Sequence, residues 1–369
     1  MLRTIESLLL TSCLACSWTA ASAQNDSITI VTWNAEAALY ERLEQRRADF
    51  AKLSSELNPD VLVLVEVAGK EELERIVEYL GWNESHAAIS DFSTAHPVVF
   101  FGLEVAVVSK IPIERVIEYD ASPERGPHVL GDDQAKVSEK KLPDAGLAPL
   151  SPLGRYDRGT LRVDLANGLT ILPVHLKSNR NDYCSSVSEA IDNTRSAGVT
   201  VPEALRRALE GTPPGASESA IENAEKRERV IAAIASVTDE VPGDRTPVIA
   251  GDFNTSFEAE LVGTDLEADC PLQGITCEKE PLPNGACSGD GYDDTFAILT
   301  NGLAGNREWT VLTKDLGRTY EDTAFADNAI DHVVVPNENA SSFSSPEKIE
   351  ETYGSDHYPI VTTFTKSAQ

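Results

Sequence analysis

The sequence predicts an α/β fold in which two β-sheets pack face to face and helices flank them. Between Ile28 and Ser109 the order is strand, helix, strand, helix and then consecutive strands, and consecutive strands recur in the second half. Consecutive strands suit hairpins in packed sheets better than the helical crossovers of a doubly wound parallel sheet. At 369 residues the chain can bury a large core, as one large domain or two ordinary ones.

In the first half, apolar patterns predict each element. A β-branched run predicts a strand over 28–33, and apolar positions at helical spacing predict a helix over 39–57, which ends before Pro59. The run 61–65 is too apolar to alternate, so it predicts a strand buried on both faces, with Glu66 at its end. A helix over 71–80 and strands over 98–101 and 105–109 follow.

The second half predicts strands that are separated by long insertions. Residues 120–155 are rich in Pro, Gly, Asp and Lys and show no periodicity, so they predict a surface insertion. Further insertions are expected at 179–217 and 264–295. Loops of this length are usually functional or disordered. Strands are expected at 160–165, 170–174, from 248, and at 310–312, 330–335 and 358–364, with a helix at 222–237.

The amino terminus predicts an export signal. A positive charge precedes an apolar stretch that ends in Ala-Ser-Ala at 21–23, the small-x-small pattern of a signal-peptidase site. We therefore expect residues 1–23 to be a signal peptide, 24–369 to form the domain, and the protein to be secreted or periplasmic. The alternative is a lipoprotein acylated at Cys13. No stretch approaches the roughly 20 uninterrupted apolar residues of a membrane span, so stable membrane insertion is not expected.

Four cysteines follow the expected leader: Cys184, Cys270, Cys277 and Cys287. An even number in an exported chain predicts two disulfides, and the sequence leaves three pairings open. Three of the cysteines lie in one Gly- and Pro-rich loop, so we expect one bridge to close that loop and the other to tie it to Cys184. A zinc site is the competing interpretation, but CxxC spacing is missing and no histidine lies among the cysteines.

The net charge of −29 constrains the partners. So acidic a surface repels phosphate backbones at long range, which argues against tight nonspecific binding to nucleic acid. It does not exclude a nuclease, because bound divalent cations can reverse the local sign of charge at a site. The simplest role of the acidity is to keep an exported protein soluble.

Six short fragments carry the candidate chemistry. In Val248–Asn254 a strand stops at a glycine and presents Asp252 and Asn254 on one face, which suits holding a water in line with a phosphorus atom. The alternative is an Asx turn that closes the strand. The other fragments are Thr32-Trp33-Asn34, Val61–Glu66, Val174-His175-Leu176-Lys177, Ile330-Asp331-His332 and Gly354-Ser355-Asp356-His357.

Taken together in this order, the fragments resemble the endonuclease/exonuclease/phosphatase superfamily over nearly the whole chain after the leader. The resemblance implies a four-layer α/β sandwich, with two packed mixed β-sheets flanked by helices. It also implies a metal-dependent phosphoric ester hydrolase that uses Mg²⁺ or Mn²⁺. The deoxyribonuclease and sphingomyelinase branch is the more similar one, because apurinic endonucleases lack a histidine at the position of His175.

The resemblance implies the metal ligands. Glu66 and Asn34 would face the metal, and Asp356 would support the metal or its loop. A carboxylate, with most other positions left to water and phosphate, is how Mg²⁺ is usually held. The alternatives are a surface salt bridge for Glu66 and a turn or cap for Asn34.

The resemblance also implies the catalytic groups. Asp252 and Asn254 would orient and polarise the attacking water. His357 would lie against the scissile phosphate, paired with Asp331, which fixes its orientation and favours its protonated form. His175 is a candidate general acid or phosphate clamp, and its alternative is a histidine satisfied by backbone at a strand end.

Three further residues are candidates for binding the substrate phosphate: Arg158, Lys177 and Asn179. Lys177 and Asn179 extend the loop after His175, whereas Arg158 begins the preceding strand and could equally be a surface residue. His332 would point to the side of its strand opposite Asp331, so we expect no catalytic role for it.

The function predicted is an exported divalent-metal-dependent phosphodiesterase, a nuclease that hydrolyses DNA or RNA by in-line water attack and acts as a monomer. Alternatives are a sphingomyelinase-type phospholipase C, a phosphomonoesterase on a small phosphate ester, and a catalytically dead binding module. A lipid enzyme needs exposed aromatics, and only the Phe92 region and residues 292–296 offer any. A binding module would have lost a motif residue, and every motif position is intact.

Overall fold

The computed structural model describes residues 27–36, 44–82, 84–91, 103–119, 126–132, 134–142, 160–178, 216–257, 295–321 and 329–366. The helices in these ranges are α1 (Arg47–Leu57), α2 (Lys70–Leu80), α3 (Ala216–Val237) and α4 (Thr295–Thr300). The strands are β1 (Ser27–Asn34), β2 (Val61–Val67), β3 (His86–Ile89), β4 (Glu104–Ser109), β5 (Ile113–Tyr119), β6 (His128–Leu130), β7 (Lys136–Lys140), β8 (Thr160–Leu165), β9 (Leu169–His175), β10 (Thr246–Asp252), β11 (Trp309–Val311), β12 (Asp331–Pro336), β13 (Glu347–Lys348) and β14 (Ile360–Thr365).

The strands form two seven-stranded mixed sheets. The first has the order β13-β14-β1-β2-β4-β3-β6, and the second has the order β11-β12-β10-β9-β8-β5-β7. Each sheet has a parallel pair inside it, β1 with β2 and β9 with β10. Because parallel strands end at the same edge, each pair presents two carboxyl-terminal ends side by side.

Alternation along the strands builds a layered core. In β2, Val61, Val63 and Val65 belong to the apolar cluster between the two sheets, whereas Leu62 and Leu64 pack with residues of α1 and α2. Helices α3 and α4 cover the outer face of the second sheet in the same way. The result is the expected four-layer α/β sandwich, and β2 is buried on both faces as its continuous apolar run predicted.

Most of the predicted elements agree with the structure to within a few residues. The helix expected over 39–57 is described from Glu44, as a short 3-10 turn followed by α1. It ends where predicted, with Asn58 in the left-handed conformation at φ 42°. Within the described residues, no helix is long and apolar enough to cross a bilayer.

The sequence analysis missed β3, β5, β6, β7 and β13. The most instructive of these are β6 and β7, because they lie in the stretch expected to be an insertion without regular structure. They are instead the outermost strands of the two sheets. Every residue of β7 is exposed, so the stretch carries no apolar alternation that could have revealed it.

Several expectations fall outside the described residues. These are the leader at 1–23, the strand at 98–101, all four cysteines, Arg158, Asn179, and most of the insertions at 179–217 and 264–295.

Candidate active site

Three strand ends of the second sheet place their polar side chains in one row. The register pairs Asp252 of β10 with His175 of β9 on one side and with Asp331 of β12 on the other. Residues paired in this way project from the same face, with Cβ atoms about 4.5–5.5 Å apart in an antiparallel pair. All three side chains are buried. Sheet register alone therefore brings together residues that are far apart in the chain.

A glycine lets β10 lie close enough to β9 at this point. Gly251 has φ +141°, and a Cβ there would lie 2.0 Å from a carbonyl oxygen of β9. The next residue, Asp252, accepts the backbone N–H of Asn254 at Oδ1 over 2.7 Å, so the Asx turn does close the strand. Its other oxygen, Oδ2, faces the site, 3.2 Å from Nδ2 of Asn34 and 3.8 Å from Nε2 of His175. The carboxylate thus serves the turn and the site together.

Two site residues hold left-handed backbone conformations. Glu66 has φ 60° and Asn254 has φ 53°. Such a conformation costs a residue other than glycine about 1–3 kcal/mol, and it is concentrated at functional sites. At Glu66 the register of β2 against β4 shifts, which marks a bulge. A bulge re-aims a side chain, and here Oε1 of Glu66 comes to lie 3.5 Å from Nε2 of His175.

Asn34 brings the first sheet into the site. Its Nδ2 lies 3.1 Å from Oε1 of Glu66, 3.2 Å from Oδ2 of Asp252 and 3.3 Å from Nε2 of His357. Its Oδ1 accepts the backbone N–H of Glu36, which fixes which side of the amide faces the carboxylates. The amide NH₂ group, a hydrogen-bond donor, therefore faces the carboxylates of Glu66 and Asp252.

His357 and Asp331 form a buried pair. Nδ1 of His357 donates to Oδ2 of Asp331 over 2.8 Å. The hydroxyl of Thr319 accepts the backbone N–H groups of Ile330 and Asp331, both at 3.1 Å. A hydroxyl has two lone pairs and one proton, so its proton is left for Oδ2 of Asp331, 2.8 Å away. The orientation of Asp331, and through it that of the imidazole, is thereby set.

The electrostatics of the row favour a protonated His357. Burial alone would lower the pKa of His357, but Asp331 overrides it through its charge and its hydrogen bond, with help from Asp252 and Asp356, and raises the pKa to about 10. With Nδ1 engaged by Asp331, the Nε2–H group of the imidazolium is the donor that faces the site. The ring of Tyr320 packs edge-on against this imidazole, with ring centroids 4.6 Å apart.

The donor set fits a divalent cation. Ligand atoms of Glu66, His175 and Asp252 all lie within 4.8 Å of one another, and so do those of Asp252, Asp331 and His357. Burial, together with the charges of Asp331 and Glu66, raises the pKa of Asp252 to about 7, although His357 opposes this. Crowded carboxylates of this kind are relieved by a cation between them, and hard oxygen donors suit a hard ion.

Three further residues considered in the sequence analysis, Asp356, Lys177 and His332, lie within the described part of the chain. Asp356 belongs to neither group of potential ligands, and its Oδ1 lies 3.8 Å from Nε2 of His357. Lys177 follows the row, and its carbonyl accepts a hydrogen bond from Arg227 over 3.0 Å. His332 lies on the opposite side of β12, as the alternation predicted. Its Nε2 donates to the carbonyl of Thr255 and its ring packs on Phe296.

Sequence reasoning missed residues that hold the catalytic groups in place. Ser355 donates from Oγ to the carbonyl of Asn34 over 2.7 Å and accepts the N–H of His357 over 3.1 Å. Its place inside the motif Gly354–His357 was a usable signal. Nothing in the sequence pointed to Thr319 or Tyr320, because their neighbours in space come from distant parts of the chain.

Comparisons with known proteins identify the family and support the fold. Residues 31–357 match the model of the Endonuclease/Exonuclease/phosphatase family. An AP endonuclease from Leishmania major has a similar structure, with a TM-score of 0.51, 13% identity, and coverage of 92% of this chain and 88% of that one. A 3′-5′ exonuclease from Neisseria meningitidis has a TM-score of 0.50, 18% identity, and coverage of 92% and 100%. At these identities the two structures speak for the fold alone. A sequence search of curated proteins found no match.

Proposed function

Since the chain belongs to the Endonuclease/Exonuclease/phosphatase family of metal-dependent phosphoric ester hydrolases, we propose that it is an exported phosphodiesterase that hydrolyses DNA or RNA by in-line attack of water. The observation that carries this proposal is the buried row of His175, Asp252 and Asp331, with His357 and Glu66 against it. It places residues that could hold a cation beside a charged hydrogen-bond donor, and the hydrolysis of a phosphodiester requires both.

A phosphodiester resists water because its negative charge repels nucleophiles and its leaving alkoxide is poor. A catalyst must neutralise that charge, hold a water in line and stabilise the leaving oxygen. A bound Mg²⁺ or Mn²⁺ would supply charge neutralisation and Lewis acidity. Glu66 and Asp252 are the carboxylates that would hold it, with His175 beside them.

The residues of the chain supply the other tasks. The imidazolium of His357 directs Nε2–H at a phosphate oxygen. Asp331 accepts the hydrogen bond from Nδ1 on the other side of the ring and stabilises the protonated form. Oδ2 of Asp252 is the acceptor that can orient the attacking water, because its Oδ1 is already engaged in the Asx turn. The Nδ2 of Asn34 lies between these groups and can donate to a water or to a phosphate oxygen.

The test is hydrolysis by the purified protein beside Asp252→Asn, a variant that preserves the shape of the side chain and its turn-accepting oxygen. Plasmid DNA, single-stranded RNA, sphingomyelin vesicles and p-nitrophenyl phosphate are incubated in parallel with Mg²⁺, with Mn²⁺ and with excess EDTA. We expect metal-dependent cleavage of nucleic acid that the substitution abolishes. Cleavage of sphingomyelin or of the monoester with nucleic acid untouched would replace the nuclease proposal by the corresponding alternative.

Export is part of the proposal and rests on the leader. Expression of the full chain should yield a mature protein that begins at Gln24, with alkylation before and after reduction showing two disulfides. An acylated Cys13 at the amino terminus would instead make it a lipoprotein. An unprocessed chain with six free thiols would refute the proposed export.

A further inference from the structure

Asn34 and His357 are 323 residues apart in the chain, yet their side-chain nitrogens lie 3.3 Å apart. Asn34 ends β1 and His357 lies three residues before β14, and these two strands are paired only as far as Thr32 and Ile360. Beyond that pair both segments leave the β1–β14 ladder, so its hydrogen bonds no longer hold them together. Their relative position must be set by other contacts.

Arg46 joins the two segments. Its guanidinium donates from Nη1 to the carbonyl of Ala35, the residue after Asn34, and from Nη2 to the carbonyl of Tyr353 over 2.8 Å. Tyr353 begins the turn that leads to His357. A guanidinium presents a rigid planar fork of donors, so it can hold two carbonyls at a set separation, which a lysine cannot do.

The surroundings hold this guanidinium in place. It lies over the ring of Trp33, 5.2 Å from the centroid, and over that of Phe50 at 5.4 Å. Gly354 packs so closely on it that a Cβ there would lie 3.2 Å from Nε of Arg46. The Nε1 of Trp33 in turn donates to the carbonyl of His357 over 3.2 Å. The contacts of Arg46 thus run directly into the segment that bears the imidazole.

A buried cation at this place is costly for the fold. Arg46 is 5% exposed. Removing the guanidinium alone would leave the carbonyls of Ala35 and Tyr353 without this donor, so it contributes to stability as well. A guanidinium suits this place because its planar fork can bind both carbonyls at once and so fix the two segments relative to each other.

We propose that Arg46 is a positioning residue, which holds the end of β1 against the turn before β14 so that Asn34 and His357 meet the same phosphate. The inference rests on the proposed function. Loss of the hydrogen bonds from Arg46 to the carbonyls of Ala35 and Tyr353 would misalign Asn34 and His357, which act in the transition state. The value of kcat should therefore fall while KM changes little.

The test compares Arg46→Lys and Arg46→Met with Arg162→Lys in the full chain. Arg162 is a second buried arginine with a fork, but its hydrogen bonds go to Asp164 and Glu240 and not to a segment that carries a site residue. Rates are measured on bis(p-nitrophenyl) phosphate with Mn²⁺, together with thermal unfolding. We expect Arg46→Lys to lose about 10- to 100-fold in kcat with KM nearly unchanged. Arg46→Met should fold but unfold at a lower temperature, because two carbonyls lose a donor, and it should be at least as slow. Arg162→Lys should also lose stability but keep its kcat.

The outcomes separate the two ideas. An unmodified protein that fails to hydrolyse any phosphodiester refutes the proposed function. If the unmodified protein is active, retention of kcat in Arg46→Lys refutes the positioning role. Failure of Arg46→Met to fold, or equal loss of kcat in Arg162→Lys, would assign Arg46 to stability and also refute it.

Discussion

The pairing of His357 with Asp331 leads to a prediction that can be worked out from the structure. Replacing Asp331 by Asn keeps the shape of the side chain and removes the charge that does most to raise the pKa of His357. What remains is burial, which lowers that pKa, opposed by the charges of Asp252 and Asp356, which raise it. Without Asp331 the pKa should drop well below about 10, so the imidazolium fraction at pH 7.5 should fall. The imidazole of His357 also loses the carboxylate that orients it. We therefore expect kcat to fall about 10²- to 10⁴-fold, the usual contribution of a positioned acid or base.

The assay is kcat as a function of pH at saturating Mn²⁺ for the unmodified protein, Asp331→Asn and Asp356→Asn. The basic limb should move to lower pH in Asp331→Asn, so its deficit shrinks as the pH falls. It should move less in Asp356→Asn, because the side chain of Asp356 is 38% exposed and water screens its charge. An unchanged basic limb in Asp331→Asn, or a larger shift in Asp356→Asn, would refute the reasoning.

Stability without metal gives the same prediction an independent check. His357 has a folded pKa of about 10, above its ordinary 6.5, so its contribution to stability is complete below pH 6.5 and is lost as the pH rises towards 10. The raised pKa of Asp252 also makes the unfolding free energy fall as the pH rises, but mainly between its ordinary pKa of 3.8 and its folded pKa of about 7. In EDTA, the unfolding free energy should therefore decline between pH 7 and 9.5, and Asp331→Asn should flatten that decline.

Three further predictions follow from other features. Glu66→Gln should abolish the rise in melting temperature that Mn²⁺ produces. Glu74→Gln, on the exposed surface of α2, should keep that rise. A rise that persists in Glu66→Gln would exclude Glu66 as a metal ligand. Gly251→Ala should destabilise the fold by about 2–5 kcal/mol, because φ is +141° and the added Cβ would lie 2.0 Å from a carbonyl oxygen. Gly243→Ala, with open space around its Cβ, should be nearly neutral, and urea unfolding measures both. At constant free Mg²⁺, kcat/KM on DNA should stay flat or rise with added NaCl, because salt screens the repulsion from a chain of net charge −29; a steep fall would indicate a basic binding surface.

The candidate site was largely predictable from its fragments, because each lies where a strand ends. A buried strand that stops at a polar residue places it at the end of the sheet: His175 and Asp252 are the last residues of β9 and β10, and Glu66 is the second-last residue of β2. The alternation along β12 likewise separated Asp331 from His332. The turn that closes β10 was the rival interpretation of Asp252, and the structure shows that turn and site use different oxygens of one carboxylate.

Other features could not be read from the sequence. All residues of the edge strand β7 are exposed, so it carries no apolar pattern, and the edge strand β6 has only three half-buried residues, too few to show one. The direction in which the Asn34 amide points depends on a local hydrogen bond to Glu36, which residue identity does not reveal. The roles of Thr319 and Arg46 depend on carbonyl and N–H groups that every residue has, so no motif marks them.

The sequence by itself determined which residue types meet at the site and that strands would carry them, because period and strand ends are local properties of the chain. Only the tertiary structure decided how the two sheets face each other. It set the distances of 3.1–3.3 Å around Asn34. It also decided which buried residues hold those distances. These contacts join residues 32 to 323 positions apart, and the packing of the whole chain brings them together.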